Sequence, residues 1–488
     1  MLPRDEWHDL ARKLDWEWSY APEREAFPEE VSGSPWLPAA AWAAWDEPYR
    51  TSYGDYVATQ HQKEQDVQAA LAATSSATAD RAWQSAVKLH AATLPLAEFA
   101  AVVGNLRAAR FGRDSAWRST ALFGALDELR HTQLPLAYFH DQVAADPQLD
   151  WTHRLFHTDQ WVAIAGRHLA DEVLLTADPI ELAIGTNFVF ETGFTNLQFV
   201  GLAAQAEAAG DHRFATLLQS IQTDEARHAQ IGGAVMQTLV DVDPARAQAL
   251  VDTWFWRSWL FFAVVTGFAM DYLTPLAHRR GSFKEFVEEW ILDQFQRQLV
   301  AHGLRRPWYW DLFVDALDSY HHMVYAAAYT HRATVWFDLA APGPDERAWL
   351  AQKYPRTWDQ LDPVWARIGE RWRAAGPEVE WYTHGATPVG FCDLCQLVLC
   401  GGTPYHNTAV THVHDGKKYI FCSEPCLWIF ERAPERYAGH QDVVKRILAG
   451  KAPGNLIALV RDYFGLAEDV WGKDLAGGRY PWLRAKAT

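Results

Sequence analysis

The five-residue pattern Asp-Glu-x-Arg-His occurs twice, as Asp127-Glu128-Leu129-Arg130-His131 and Asp224-Glu225-Ala226-Arg227-His228. These hold the only two Glu-x-x-His pairs in the 488 residues. On a helix, residues three apart share a face at about 5–6 Å. Each copy therefore presents one carboxylate and one imidazole to the same point. Two copies brought face to face offer the donors that a pair of metal ions needs.

Two further carboxylates complete the set. Glu98, in LPLAEFAAVVG, lies 30 residues before Glu128, and Glu191, in NFVFETGFTN, lies 34 before Glu225. Such separations suit antiparallel helices joined by a short turn, each ligand near mid-helix. The 63 residues from Glu128 to Glu191 predict a long crossover instead. The expected fold is thus mainly α: a ferritin-like helical bundle around a carboxylate-bridged dinuclear site. Six ligands, mostly oxygen with two imidazoles, suit iron or manganese better than zinc. Glu98 and Glu191 sit in apolar stretches, where an unpaired carboxylate is costly. Asp127 and Asp224 are expected to orient the histidines from behind, since a ligating imidazole usually donates its other N–H to a carboxylate. Their plainer role is pairing with Arg130 and Arg227 on the solvent side.

Forty-four basic against 61 acidic residues give a net charge of −17, with no dense Lys/Arg tract. Nucleic acid and anionic membranes are therefore excluded as expected partners. No membrane span is expected either, because the apolar stretch Trp259 to Met270 falls far short of the roughly 20 residues required. The charged start MLPRDEWHDLARK lacks the apolar core of a signal peptide, so the expected location is the cytoplasm. The 25 Trp residues are expected in core and subunit interface.

Residues 1–60, rich in Pro, Trp and acidic groups, read as an extended arm with short helices. Residues 61–375 carry the helical pattern, with helices expected over 78–110, 116–143, 158–175, 178–207, 211–239, 244–272, 283–303 and 309–338. Breaks fall at Gly210-Asp211 and at Asp241–Pro244, where Asp243 can cap and Pro244 can open a helix. From 386 to 488 the texture changes to turns, β-like runs and cysteines, a small α+β lobe with terminal helices.

All five cysteines lie in that lobe, between 392 and 426. Cys392-x-x-Cys395 and Cys422-x-x-x-Cys426 have zinc-knuckle spacing. Cys400 is left over, and His406, His412 or His414 could replace a cysteine as ligand. A structural zinc on the four outer cysteines is expected; a redox disulfide is the lesser reading.

The stretches LDELRHTQL, NFVFETGFTNLQF and IQTDEARHAQ, at these intervals, resemble the hydroxylase α subunit of the bacterial multicomponent diiron monooxygenases, most of all its toluene and alkene branch. DEWHDLARKLDWEWSY, WDEPYRTSYGDY and RPWYWDLF extend the likeness over most of the first 370 residues. FCSEPCLWIFERAPERY resembles a YHS-type zinc motif. The resemblance implies that Glu98, Glu128 and His131 hold one iron and Glu191, Glu225 and His228 the other, with a carboxylate bridging. Thr195 matches a pocket threonine thought to hydrogen-bond oxygen species at the irons; an ordinary bond to its own i−4 carbonyl is the alternative. Asn196 and Gln222 match polar residues implicated in effector binding and proton delivery. Substrate would sit against Leu94, Ala97, Ala101, Phe190 and Phe199.

The activity so implied is insertion of one oxygen atom from O2 into a small apolar substrate, by aromatic hydroxylation or alkene epoxidation. Desaturase or ferroxidase chemistry on the same bundle is the competing reading. The chain carries neither a GxGxxG motif nor a ferredoxin-type cysteine run. Electrons from NADH would thus come through a separate reductase and a Rieske-type ferredoxin. The resemblance further implies β and γ subunits, a two-fold assembly of the heterotrimer, and an effector protein.

Overall fold

The computed structural model describes residues 3–13, 34–73, 81–145, 161–176, 178–331, 341–375, 391–397, 399 and 409–438. Helices α1 (Arg4–Arg12), α2 (Ala39–Ala44) and α3 (Tyr53–Ala72) precede the bundle. Residue 60, where the arm was expected to end, lies in the middle of α3, and that placement matters for the site.

The first ligand hairpin is α4 (Arg81–Phe111) and α5 (Ser115–Ala145). Its turn is short because Asp114 caps the new helix, its Oδ1 accepting from the amides of Ala116 at 2.8 Å and Trp117 at 3.2 Å. Gly112 leaves room for the Trp117 indole, which would stand 2.0 Å from a Cβ there. After α6 (Trp161–Leu175) comes the second hairpin. Its first arm is not the continuous α-helix expected over 178–207. A short α7 (Pro179–Ala183) passes into a π-helical segment, Ile184–Thr195, before α8 (Asn196–Ala208). Its partner α9 (His212–Val242) approaches so closely that a Cβ on Gly232 would lie 2.6 Å from the Asn187 carbonyl carbon. Wide π turns commonly mark functional sites.

Asp211 ties the hairpin to its neighbours. One oxygen caps α9 through the Phe214 amide, and the other accepts from Trp83 at 3.1 Å and Tyr138 at 2.7 Å. Asp243 caps α10 (Pro244–Phe268) as the sequence predicts, accepting from the Arg246 amide at 3.0 Å. The stretch expected as helix to 272 ends in a π turn, Ala269–Leu273. The expected 283–303 helix is likewise interrupted by π residues Val287–Leu292, between α11 (Phe283–Phe286) and α12 (Asp293–Ala301). The expected 309–338 helix divides into α13 (Trp310–Ala316) and α14 (Tyr320–His331), with residues 332–338 outside the described set. Helices α15 (Pro344–Lys353) and α16 (Trp358–Ala375) complete the helical body.

In the small lobe, antiparallel strands β1 (Val410–His414) and β2 (Lys417–Phe421) pair Val410 with Phe421. They are joined by Asp415-Gly416, both at positive φ, the chemistry of a type I′ hairpin. Helices α17 (Glu424–Arg432) and α18 (Pro434–Tyr437) follow. The expected terminal helices lie outside the described residues. Among the described residues no single helix is long and apolar enough to cross a membrane.

Candidate metal centre and active-site cavity

Four elements converge on one buried point: α4 brings Glu98, α5 brings Glu128 and His131, the π segment brings Glu191, and α9 brings Glu225 and His228. All six side chains are buried. His131 Nδ1 lies 3.1 Å from Glu225 Oε1, 3.3 Å from Glu128 Oε2 and 3.7 Å from Glu98 Oε2. His228 Nδ1 lies 3.2 Å from Glu128 Oε1 and 3.7 Å from Glu191 Oε2. The groupings differ from the expected division in one respect. Glu225 faces His131 on the opposite helix, and Glu128 stands between the two halves and is shared. Helix spacing finds same-helix pairs; it cannot say which half a carboxylate leans toward once the hairpins dock.

The aspartates work crosswise. Asp224 Oδ2 is 3.2 Å from His131 Nε2, and Asp127 Oδ2 is 3.0 Å from His228 Nε2. Each imidazole thus donates from Nε2 to the other copy's aspartate and turns Nδ1 inward. The arginines cross too: Arg130 donates to Asp224 at 3.1 Å, and Arg227 donates to Asp127. The two roles weighed for these aspartates are therefore filled together, and in the interior rather than on a solvent face.

Without a cation the cage is frustrated. Burial, reinforced by Glu128, pushes Glu98 well above the usual carboxylate range. Burial with Glu225 does the same to Glu191, and burial with Glu128 raises Glu225. Glu128 moves the other way: burial opposes its charge, but the imidazoles of His131 and His228 against its two oxygens outweigh that. Both imidazoles are raised, burial opposing the charge and Asp224 leading for His131, Glu191 for His228. Glu128 Oε1 and His228 Nδ1 face each other across 3.2 Å, both buried and without hydrogen-bond geometry. Two orphaned donor atoms within a converging set of buried oxygens and nitrogens fit a cation-binding cage. The set fits two divalent or trivalent ions.

One pH dependence follows. A metal-free cage holds protons that the unfolded chain would release, so these raised carboxylates make metal-free stability fall as pH rises. Incoming metal must displace the same protons, so affinity rises with pH. Equilibration with limiting Fe(II) should load the protein well below its capacity at about pH 5.5 and far more fully at about pH 7.5. Equal metal content at both, by mass spectrometry, would contradict the proton-loaded cage.

The four glutamates form one wall of a cavity with about 1020 Å³ of empty volume. All five residues expected to face substrate, Leu94, Ala97, Ala101, Phe190 and Phe199, line it. The opposite wall was not foreseen. It comes from α10 through Trp254, Ser258, Phe261 and Val265, spaced four, three and four apart on one face. That face lies inside a stretch apolar on every side, so no period reveals it. Thr195 also lines the cavity, and its Oγ1 is buried without a hydrogen-bond partner. The alternative bond to its i−4 carbonyl does not form, consistent with its place at the end of the π segment. Gln222 lies on α9 one turn before Glu225 and is not among the lining residues. The Asn196 side chain lies outside the described set.

The four cysteines Cys392, Cys395, Cys422 and Cys426 form a second cluster. Cys422 Sγ lies 3.5 Å from Cys426 Sγ and 3.9 Å from Cys395 Sγ. Those separations exclude disulfides, which need about 2.05 Å. They bracket the roughly 3.8 Å edge of a tetrahedron with Zn–S near 2.3 Å. Burial pushes Cys395 far up, and its neighbouring thiols raise Cys422. Cys392 is pulled well down, because hydrogen bonds from the other thiols outweigh its burial. His412 and His414 turn instead toward Glu431, at 3.4 Å, and Asp415, at 3.5 Å. Cys400 and His406 lie outside the described residues.

Comparison with known proteins agrees with this geometry. A profile described as Methane/Phenol/Alkene Hydroxylase matches residues 16–243, and a YHS domain profile matches 406–441. The chain is 41% identical to the alkene monooxygenase oxygenase component subunit alpha of Xanthobacter autotrophicus, covering 98% of this chain and 97% of that one. It is 27% identical to the phenol 2-monooxygenase oxygenase component of Pseudomonas sp. strain CF600, over 99% and 95%. Its backbone superposes on xenon-pressurised phenol hydroxylase from Pseudomonas sp. OX1 with a TM-score of 0.82 at 25% identity, covering 95% of each chain. The chain therefore belongs to the methane/phenol/alkene hydroxylase family.

Proposed function

We propose that this chain is the catalytic α subunit of a multicomponent, NADH-dependent monooxygenase that epoxidises small alkenes. Glu98, Glu128, His131, Glu191, Glu225 and His228 would hold two iron ions in this reading, with Glu128 facing both histidines. The observation that carries it is the coincidence of a six-donor buried cage with one wall of a largely apolar cavity. The whole-chain likeness to an alkene monooxygenase subunit favours alkenes. The likeness to a phenol 2-monooxygenase oxygenase component over nearly the whole chain supports ring hydroxylation of toluene- or phenol-like molecules as the second reading.

Two irons held in the cage would supply the redox chemistry by which O2, two electrons from NADH and two protons give one inserted oxygen atom and one water. The protein's residues do the rest. Leu94, Ala97, Ala101, Phe190 and Phe199 exclude water and hold substrate against the glutamates. Thr195 offers its unpartnered hydroxyl as a donor into the cavity, and Asn196 and Gln222 keep the effector-binding and proton-delivery roles expected from the resemblance. His90 is kept neutral, burial pushing it down to about 4, so it brings no charge into the cavity. Its Nδ1–H donates to the Ala86 carbonyl at 2.7 Å, and its Nε2 accepts from the Gln198 amide at 3.3 Å.

Partner subunits β and γ in a two-fold assembly, an effector, a Rieske-type ferredoxin and a reductase complete the system. Support for docked partners comes from Phe99 and Leu106 on α4 and Leu122, Leu126, Leu129 and Leu136 on α5, each 37–50% exposed. The cysteine cluster holds a structural zinc, and four cysteines outside any disulfide suit the reducing cytoplasm.

The test is a reconstituted system with NADH, offered propene, isoprene, toluene and phenol under labelled O2. Epoxides carrying one labelled oxygen are expected, with slower ring hydroxylation. Iron-loaded protein with all partners that yields no oxygenated product would end this reading. Cavity size gives a second check. Ala101→Phe is expected to cut kcat/KM for toluene by at least about tenfold more than for propene. Equal losses for both would remove Ala101 from the substrate wall.

A further inference from the structure

Gln60, from the stretch expected to be a loose arm, is bonded to both halves of the cage at once. Its Nε2 donates to Asp127 Oδ1 at 2.8 Å and to Asp224 Oδ1 at 2.9 Å. A primary amide has two N–H donors, and here each goes to a different aspartate. The second oxygen of each aspartate accepts from a histidine, His228 for Asp127 and His131 for Asp224. The result is an unbroken chain, His131–Asp224–Gln60–Asp127–His228, running outside the six donors.

The orientation of the amide is set by chemistry. The flipped amide would aim its carbonyl oxygen at two carboxylates, leaving three acceptors together. In the orientation present, Gln60 Oε1 is buried without a hydrogen-bond partner. An unpaired buried carbonyl is costly. It persists here because the same rotamer keeps both donors on the aspartates.

One turn along α3, Lys63 donates to Asp224 alone. Asp224 therefore holds two cations, Lys63 and Arg130, whereas Asp127 holds Arg227. A carboxylate already bound to two cations is a weaker acceptor for an imidazole N–H. The two copies of the motif, alike in sequence, are made unlike by this one helix.

We infer that Gln60 is a positioning residue that fixes the two inner histidines jointly, and that Lys63 acts directly on the His131 half alone. The inference rests on the metal-ligand reading above. Because the aspartates are bonded to one amide, rotation of either imidazole disturbs the other through α3.

The test uses the full chain with its subunits, loaded with isotopically enriched iron and read by Mössbauer spectroscopy without substrate. Gln60→Met keeps length and removes both donors. It is expected to shift or broaden the signals of both iron sites and to lower turnover by about tenfold, with two irons retained per chain. Lys63→Met, which leaves the Gln60 amide in place, should move the signal of the His131 site more than that of the His228 site. A Gln60→Met spectrum identical to the parent's, or one with a single site changed, overturns the joint role. A lowered melting temperature with an unchanged spectrum also overturns it, since that is mere packing. Should Gln60→Met fail to fold, Gln60→Glu puts a third carboxylate between the aspartates and must again disturb both signals. If the parent protein binds no iron, the ligand assignment itself has failed, an outcome visible before any variant is made.

Discussion

Replacing Glu128 with alanine is expected to abolish turnover, by about a thousandfold or more, and to leave less than one tightly held iron per chain. Its two oxygens face opposite histidines, Oε2 at 3.3 Å from His131 Nδ1 and Oε1 at 3.2 Å from His228 Nδ1. Of the carboxylates in the cage it is the one held low, because both imidazoles lie against it. Its loss takes away the one carboxylate that faces both histidines, and with it a donor available to each metal. A bound metal contributes several kcal/mol of transition-state stabilisation, and each 1.4 kcal/mol is a factor of about ten. Glu128→Gln should do nearly as badly, since an amide cannot bridge as an anion. Iron by mass spectrometry together with product formation gives the answer. A Glu128→Ala protein that keeps two irons and normal turnover would rule out a bridging role.

Replacing Cys395 with serine is expected to release one metal ion per chain and to open the small lobe. Its described residues form two short strands and two short helices, too little apolar surface to fold unaided. They are held to the bundle at several points, Arg436 donating to Glu181 among them. Trp256 on α10 donates its indole N–H to Cys426 Sγ at 3.2 Å, and Tyr437 on α18 donates to Glu172 on α6. Arg257 joins Tyr437 there, donating to Glu172 at 2.6 Å. Loss of a structural metal is among the few changes that cost more than about 4 kcal/mol. Proteases should therefore cut within 391–438 long before they attack the bundle. Because α10 also supplies Trp254 and Ser258 to the cavity, product ratios should shift as well. Parent protein with no metal besides iron, and a Cys395→Ser protein as protease-resistant as the parent, would together defeat the zinc assignment.

The ligand set was legible because the chemistry needs rare residues at fixed helical spacing. Glu128 and His131 must lie on one face whatever the tertiary fold, and Leu94, Ala97 and Ala101 follow Glu98 for the same reason. Three features were not legible. The π segment at Ile184–Thr195 is set by close approach to Gly232, a long-range contact that leaves local apolarity unchanged. The α10 wall hides in a uniformly apolar stretch. Gln60 reaches Asp127 across 67 residues and Asp224 across 164, and nothing in its own neighbourhood marks it. Glutamine in a polar helix looks like surface until the fold is known.

The crossed aspartates carry a consequence for how such a protein is made. Each half of the cage borrows its supporting carboxylate from the other hairpin, so neither hairpin is a metal-binding unit by itself. During synthesis the first three ligands emerge about a hundred residues ahead of the last. They stay without their mates until His228 has left the ribosome and the hairpins have closed on each other. Iron capture is thereby a late event, and a metal-loaded chain certifies that both hairpins have docked.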